Sequence, residues 1–444
     1  MTLFVWKTEN TGWSERLVPL GILLSVGLAS AHFWRFGQTG MAISCLGWGV
    51  LSLGRSAWVR PVMVLLFFVL SGEWFVTANR FVQLRMMLGE PWLRLACILL
   101  GVAAFTLLTA LLVWERPGRL WFRRQGEHVV AQVLTFMLVV GMLLVPLFLY
   151  SKLFLAERLV PGFGSVQVVC AGVWGSFVCR LLMDRRRAPR IRIRIWRLFS
   201  LIFFGQFALA ALGYTVFYMT GESHIPVPGV IVGGAIYRGA AGFMLLLFLA
   251  SVLLVGSAWC SHLCYLGGLD TLPSTRADSS PRHPLLWRAV ALVLVCTGAL
   301  LLRLCNAPTA VAVAGGLALG FVMLPLVLLG RRKGYAIYCT MVCPLGLLAC
   351  LLGRLSLWRI RRTEACVMCG KCTRVCRYGA LNLARLKAGA PGLSCTLCRD
   401  CLSACPHGGL GMSWAGKGLS GRAEQAFVVL VSAMHAVFLF SAMV

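Results

Sequence analysis

The sequence predicts an all-α polytopic membrane protein, about 11 transmembrane helices in all, with a small cysteine-rich α+β segment near its C-terminus. Three observations predict it. Of 444 residues, 59% are hydrophobic and only 13% charged, and the mean hydropathy is +0.84, which excludes a water-soluble globular enzyme. Mainly apolar stretches of about 17 to 25 residues, long enough to cross a bilayer as helices, recur along the chain. Eight of the 19 cysteines crowd between Cys366 and Cys405.

The apolar stretches centre near residues 17–33, 39–54, 61–79, 93–114, 129–150, 162–183, 198–218, 239–258, 287–304, 308–330 and 424–442. The second is short enough that ten spans are an alternative. An Ala29-Ser30-Ala31 sequence after the first stretch resembles a signal-peptidase site, but the long, mixed-charge region upstream of it favours a retained helix. The spans divide the chain into a six-span module (1–183), a four-span module (198–330), a polar cysteine-rich segment (331–423) and a final span (424–444) that anchors the polar segment.

Lys plus Arg number 42 against 14 Asp plus Glu, a formal charge of +28. Nucleic-acid motifs are absent, so no nucleic-acid partner is expected, and the charge reads as basic loops facing anionic lipid on the cytoplasmic side. The strongest such loop is expected over Asp184–Arg197, with seven Arg against one Asp. Residues 115–127 and the Arg331-Arg332-Lys333 run fall on the same side of the membrane. The expected loop carrying Arg80, Arg85 and Arg94 falls on the opposite side. Localisation in a bacterial inner membrane follows as the expectation, with the cysteine-rich segment cytoplasmic.

Cys366-x-x-Cys369-x-x-Cys372-x-x-x-Cys376 is followed after 18 residues by Cys395-x-x-Cys398-x-x-Cys401-x-x-x-Cys405-Pro406. This is the signature of a two-cluster, ferredoxin-like segment, in which three cysteines of one run and the displaced fourth of the other hold each cube. Cys366, Cys369, Cys372 and Cys405 are therefore assigned to one [4Fe-4S] cluster, and Cys395, Cys398, Cys401 and Cys376 to the other. Zinc sites and disulfides fit the spacing and the expected reducing compartment less well. Lys371, Arg374, Arg377 and Arg399 read as solvated surface charge beside the sulfurs. The scattered cysteines, Cys97 and Cys350 among them, read as packing.

Two further pairs, Cys260-x-x-x-Cys264 and Cys339-x-x-x-Cys343-Pro344, follow the eighth and tenth spans. Four residues apart, each pair would share one face of an α-helix. Their four thiols would complete a third cluster; a redox dithiol pair, haem ligation by His262, and packing are the alternatives.

From about residue 198 to 423 the chain resembles the NapH and NosR type of membrane iron-sulfur protein. Cys260 and Cys264, Cys339, Cys343 and Pro344, and the eight cysteines above carry the resemblance. Tyr265 stands where the first motif of that family has Pro. The resemblance implies a quinol dehydrogenase-type oxidoreductase that draws on the quinone pool and passes electrons to a protein redox partner or multi-subunit complex of a respiratory chain. An iron-sulfur assembly or maturation factor that reduces a metal or thiol on a client, and a redox sensor, are the alternatives. Candidate groups for a quinone site are Glu73, inside a span, and Glu222 and His224, in an expected outer loop. His32 and His435 are the intramembrane histidines, but haem is not expected.

Overall fold

The computed structural model describes residues 13–122, 128–218, 227–240, 242–270, 284–333, 336–415 and 421–441. Among these, ten helices are long and apolar enough to cross a membrane. Their places agree with the apolar stretches in the sequence; the helix Thr39–Leu53 is the short one. Many large apolar side chains face outward along them, among them Phe148, Leu201, Phe321 and Leu324, a surface that hydrocarbon suits and water does not. The chain forms two compact units, Met1–Val173 and Trp174–Val444.

The first unit is built on α1 (Trp13–Arg35), α2 (Thr39–Leu53), α3 (Val59–Met87), α4 (Leu93–Trp114), α5 (Val129–Leu149) and the start of α6 (Gly164–Met183). Its core gathers Val18, Ile22, Trp48, Met63, Phe67 and Phe136. Ser25 Oγ donates to Thr109 Oγ1 at 3.1 Å, joining α1 to α4 through a polar contact where no water competes. Arg80 and Arg85, expected in a loop, lie inside α3, and Arg94 is in the first turn of α4. Their long side chains let the helices continue past the apolar slab while the guanidinium groups reach outward.

The second unit contains α7 (Ala188–Ala211), α8 (Pro228–Arg238), α9 (Phe243–Val255), α10 (Tyr265–Asp270), α11 (Pro284–Leu304), α12 (Thr309–Lys333), α13 (Pro344–Leu352) and α14 (Gly421–Ser441). The expected Asp184–Arg197 loop is mostly helix. Only Asp184–Arg187 form a turn, in which Asp184 Oδ1 accepts from Arg186 N at 3.0 Å, and Pro189 then opens α7. The Arg-Ile alternation has the look of a strand or loop, but wound at 3.6 residues per turn it turns Arg192 inward. The helix α8, with Pro at its start and left-handed Gly239 at its end, is too short to span and packs on α11.

The cysteine-rich segment begins with β1 (Trp358–Arg362) and closes with β2 (Leu410–Trp414), paired antiparallel with Trp358 opposite Trp414 and Arg362 opposite Leu410. Trp358 Nε1 donates to Leu254 O at 2.9 Å, fastening the strand to the end of α9. The strand pair closes the segment that holds both cysteine runs.

Candidate functional site

The two cysteine runs fold alike. Met368 and Leu397, one residue before the second cysteine of each run, are left-handed, and so are Gly370 and Arg399, one residue after it. These positions curl each C-x-x-C-x-x-C loop around one point. A short helix, Lys371–Arg374 or Asp400–Ala404, then carries the chain toward the fourth cysteine.

Two cavities result. One is lined by Cys366, Cys369, Cys372 and Cys405, the other by Cys376, Cys395, Cys398 and Cys401. Each therefore takes three cysteines from one run and the fourth from the other. Among the described residues no three His, Cys, Asp or Glu side chains close on a point as the ligands of a single metal ion do; each quartet lines a cavity instead. The donors fit an iron-sulfur cube: thiols, apolar walls, and amides such as Gly409 N, which donates to Cys405 Sγ at 3.1 Å. Burial pushes the Cys398 thiol up to about 12, with Asp400 adding to the rise and Arg192 opposing it. Iron would have to displace the proton there.

Gly409 allows the closest approach in this region. A Cβ on it would stand 2.8 Å from Cys366 Cα, so Gly409→Ala is expected to push the first loop outward. The first-cavity cluster should become labile, measured as faster iron loss to a chelator than in the native chain.

The two shorter motifs also repeat a local structure, though a different one from the α-turn expected. Trp259–Leu263 and Tyr338–Val342 are each one turn of π-helix, followed by an extended Cys264 or Cys343 and a new α-helix. A π-turn widens the helix and marks many functional sites. Cys343 Sγ accepts from Gly346 N at 3.3 Å, and Cys264 is held likewise by the amides of Gly267 and Leu266. The four thiols of Cys260, Cys264, Cys339 and Cys343 all lie within electrostatic reach of one another. Burial raises Cys264 to about 11 and Cys343 to about 12, opposite to the depressed values of attacking dithiols.

Residues that the sequence reading passed over frame this quartet. Asp270 is fully buried and accepts from Cys339 N at 2.8 Å; burial holds its carboxyl up at about 6. Arg288, in the first turns of the apolar α11, is buried and donates to Cys339 O and, at 3.4 Å, to Cys350 Sγ. An arginine inside a span was the available signal. The hydroxyl of Tyr265 and Nε of Arg288 are buried without a hydrogen-bond partner among the described residues, donors of the kind that cluster sulfur accepts.

The quartet adjoins the second cavity. Ser257 Oγ donates to Cys395 O at 2.6 Å, and Ser261 Oγ to Thr396 O at 2.7 Å. Cys350, read as packing, lies within electrostatic reach of both Cys260 and Cys395. Arg192, 2% exposed, grips both carboxylate oxygens of Asp400 at 3.1 and 2.9 Å and donates to Ser261 O at 3.0 Å. Arg399 is buried too, not solvated as expected, and donates to Glu424 at 2.7 Å and to Leu182 O at 3.3 Å. Arg377 is largely covered and stands 3.9 Å from Asp400.

The remaining candidates fall elsewhere. Glu73 lies in the first unit, half-exposed, with an oxygen 3.7 Å from His32 Nε2, and none of the twelve motif cysteines belongs to that unit. Glu222 and His224 lie outside the described residues. His435 Nδ1 is 3.3 Å from His262 O, and His262 Nδ1 is 2.9 Å from Ser261 Oγ.

The sequence model of a family described as a 4Fe-4S binding domain matches residues 237–274, the stretch that holds Cys260 and Cys264. No curated protein and no solved structure matches the chain. The segment is thus similar to 4Fe-4S binding domains, and it points to iron-sulfur binding with a role in electron transfer.

Proposed function

We propose that this chain is a membrane electron-transfer protein that exchanges electrons between a quinol and a protein redox partner through three [4Fe-4S] clusters. The observation that carries the reading is the convergence of twelve cysteines into three neighbouring quartets, one of which lies partly within the matched 4Fe-4S segment. Cys260, Cys264, Cys339 and Cys343 would hold one cluster; Cys395, Cys398, Cys401 and Cys376 the next; Cys366, Cys369, Cys372 and Cys405 the last. Bound clusters supply one-electron steps whose potentials follow charge and hydrogen bonding around the sulfurs.

The chain's own residues set the order. The serine contacts of Ser257 and Ser261 join the first quartet to the second, and cross-ligation joins the second to the third. Cys369 and Val367 are exposed, so the third quartet is the natural outlet to a partner protein. The NapH and NosR resemblance supports quinol as the small-molecule partner, and the basic loops support a cytoplasmic outlet at a bacterial inner membrane.

Protein purified anaerobically and treated with a reduced quinol analogue tests the reading. Appearance of reduced-cluster EPR signals is the expected result. Clusters that dithionite reduces and quinol does not would overturn the quinol assignment in favour of client maturation or sensing.

A further inference from the structure

Beside the second cysteine cavity lies a larger one of about 300 Å³, within the size range of small-molecule sites. The two share Cys395, Ile360 and Pro391 as walls. Any molecule in the larger cavity would therefore sit against a backbone that also carries a cluster cysteine.

Its polar lining is dominated by three arginines, Arg354, Arg359 and Arg361, and no Asp or Glu lines it. None of the three forms a salt bridge among the described residues. Arg359 is built in: it donates to Ser356 O at 2.7 Å and to Trp358 O at 2.6 Å. Burial and the two neighbouring guanidinium groups hold it below the usual arginine value. Guanidinium groups only donate hydrogen bonds, so the occupant must present acceptor oxygens and cannot be a cation.

The apolar side chains argue for a lipid-soluble occupant. Trp358, Ile360, Leu393 and Leu397 line the cavity, the exposed Leu351, Leu355 and Leu357 are chain neighbours of Arg354 just outside the lining, and Trp358 ties the cavity wall to the end of α9. An apolar fringe with a Trp and arginines is the composition of a membrane interface. A free phosphate would satisfy the arginines and leave the leucines without a role.

We propose that this cavity binds the ring of a membrane quinone, its carbonyl oxygens toward Arg354 and Arg361 and its tail along Leu351, Leu355 and Leu357. This inference rests on the quinol reading above and adds to it the place of binding. It moves the site from Glu73, Glu222 and His224 to the wall shared with Cys395.

The test uses the full chain in nanodiscs of phosphatidylcholine and a photoreactive azidoquinone with a decyl tail. Cross-links are expected within residues 351–361 or 390–397, and the variant Arg354→Gln/Arg361→Gln is expected to weaken binding about tenfold or more. Both arginines are exposed, so iron content and EPR signals should stay native; Arg361→Lys should restore part of the affinity. If the double variant loses iron, the cross-link position in the native chain decides. Cross-links elsewhere, with clusters still reduced by quinol, would overturn the site and leave the function standing. No cross-link and no reduction by quinol would remove both. Displacement of the quinone by inorganic phosphate or by added phosphatidylglycerol would make the cavity a phosphate site and overturn the inference.

Discussion

Cys398→Ala and Cys343→Ala are each expected to remove one whole cluster, lowering iron from about twelve to about eight per chain, whereas Cys97→Ala should change nothing. A cube that loses one of four thiolates in a buried cavity has no spare sulfur ligand to recruit. Cys350 is a further thiol within electrostatic reach of Cys260 and Cys395, and Arg288 holds it. Cys97 is exposed in the apolar helix α4 and touches none of this machinery. The informative comparison is between the first two variants. Cys398→Ala should abolish one of the signals of the two ferredoxin-like clusters. Cys343→Ala should leave both and remove a third. Iron content unchanged by Cys343→Ala would reduce the π-turn quartet to packing.

Asp400→Asn is expected to cost about 3 to 5 kcal/mol of stability in the second unit, because it leaves Arg192 buried without its counter-charge. Arg192 joins the π-turn at Ser261 to the helix that starts at Asp400, so the loss falls between two quartets. Thermal unfolding in detergent, followed by loss of cluster absorbance, measures it. The double variant Arg192→Met/Asp400→Leu should recover most of the lost stability, since a buried ion pair is often replaceable by apolar groups of similar volume. A double variant no better than the single one would mean that the pair positions the clusters and does more than balance charge.

Much of this fold was legible as hydropathy. All the apolar stretches in the sequence are helices, because a run of that length leaves the backbone no other way to satisfy its polar groups in hydrocarbon. What hydropathy could not show is where a helix begins once arginines enter it. Seven arginines over 185–197 read as a loop, yet α7 starts at Ala188 and folds Arg192 onto an acid 208 residues away. Sequence spacing holds no record of such a partner.

The cysteines were legible for the opposite reason. C-x-x-C-x-x-C followed by a displaced fourth cysteine is a local constraint, and the left-handed residues at Met368, Gly370, Leu397 and Arg399 are its local expression. The shorter pairs were legible only through their repetition. Their α-helical reading failed because the backbone widens into π-turns at Trp259–Leu263 and Tyr338–Val342. Asp270 and Arg288 carry no such signal, and Cys350 reads only as packing, since each is an isolated residue whose role depends on a neighbour supplied by another element.

The number of clusters in the chain separates a three-cluster electron-transfer protein from the alternatives. Iron and acid-labile sulfide, counted per chain after anaerobic purification, test it most directly. Three quartets of cysteine predict about twelve of each. About eight of each would contradict a cluster at the π-turn quartet and leave its cysteines without a cofactor, and a near-absence of sulfide would contradict the electron-transfer reading as a whole.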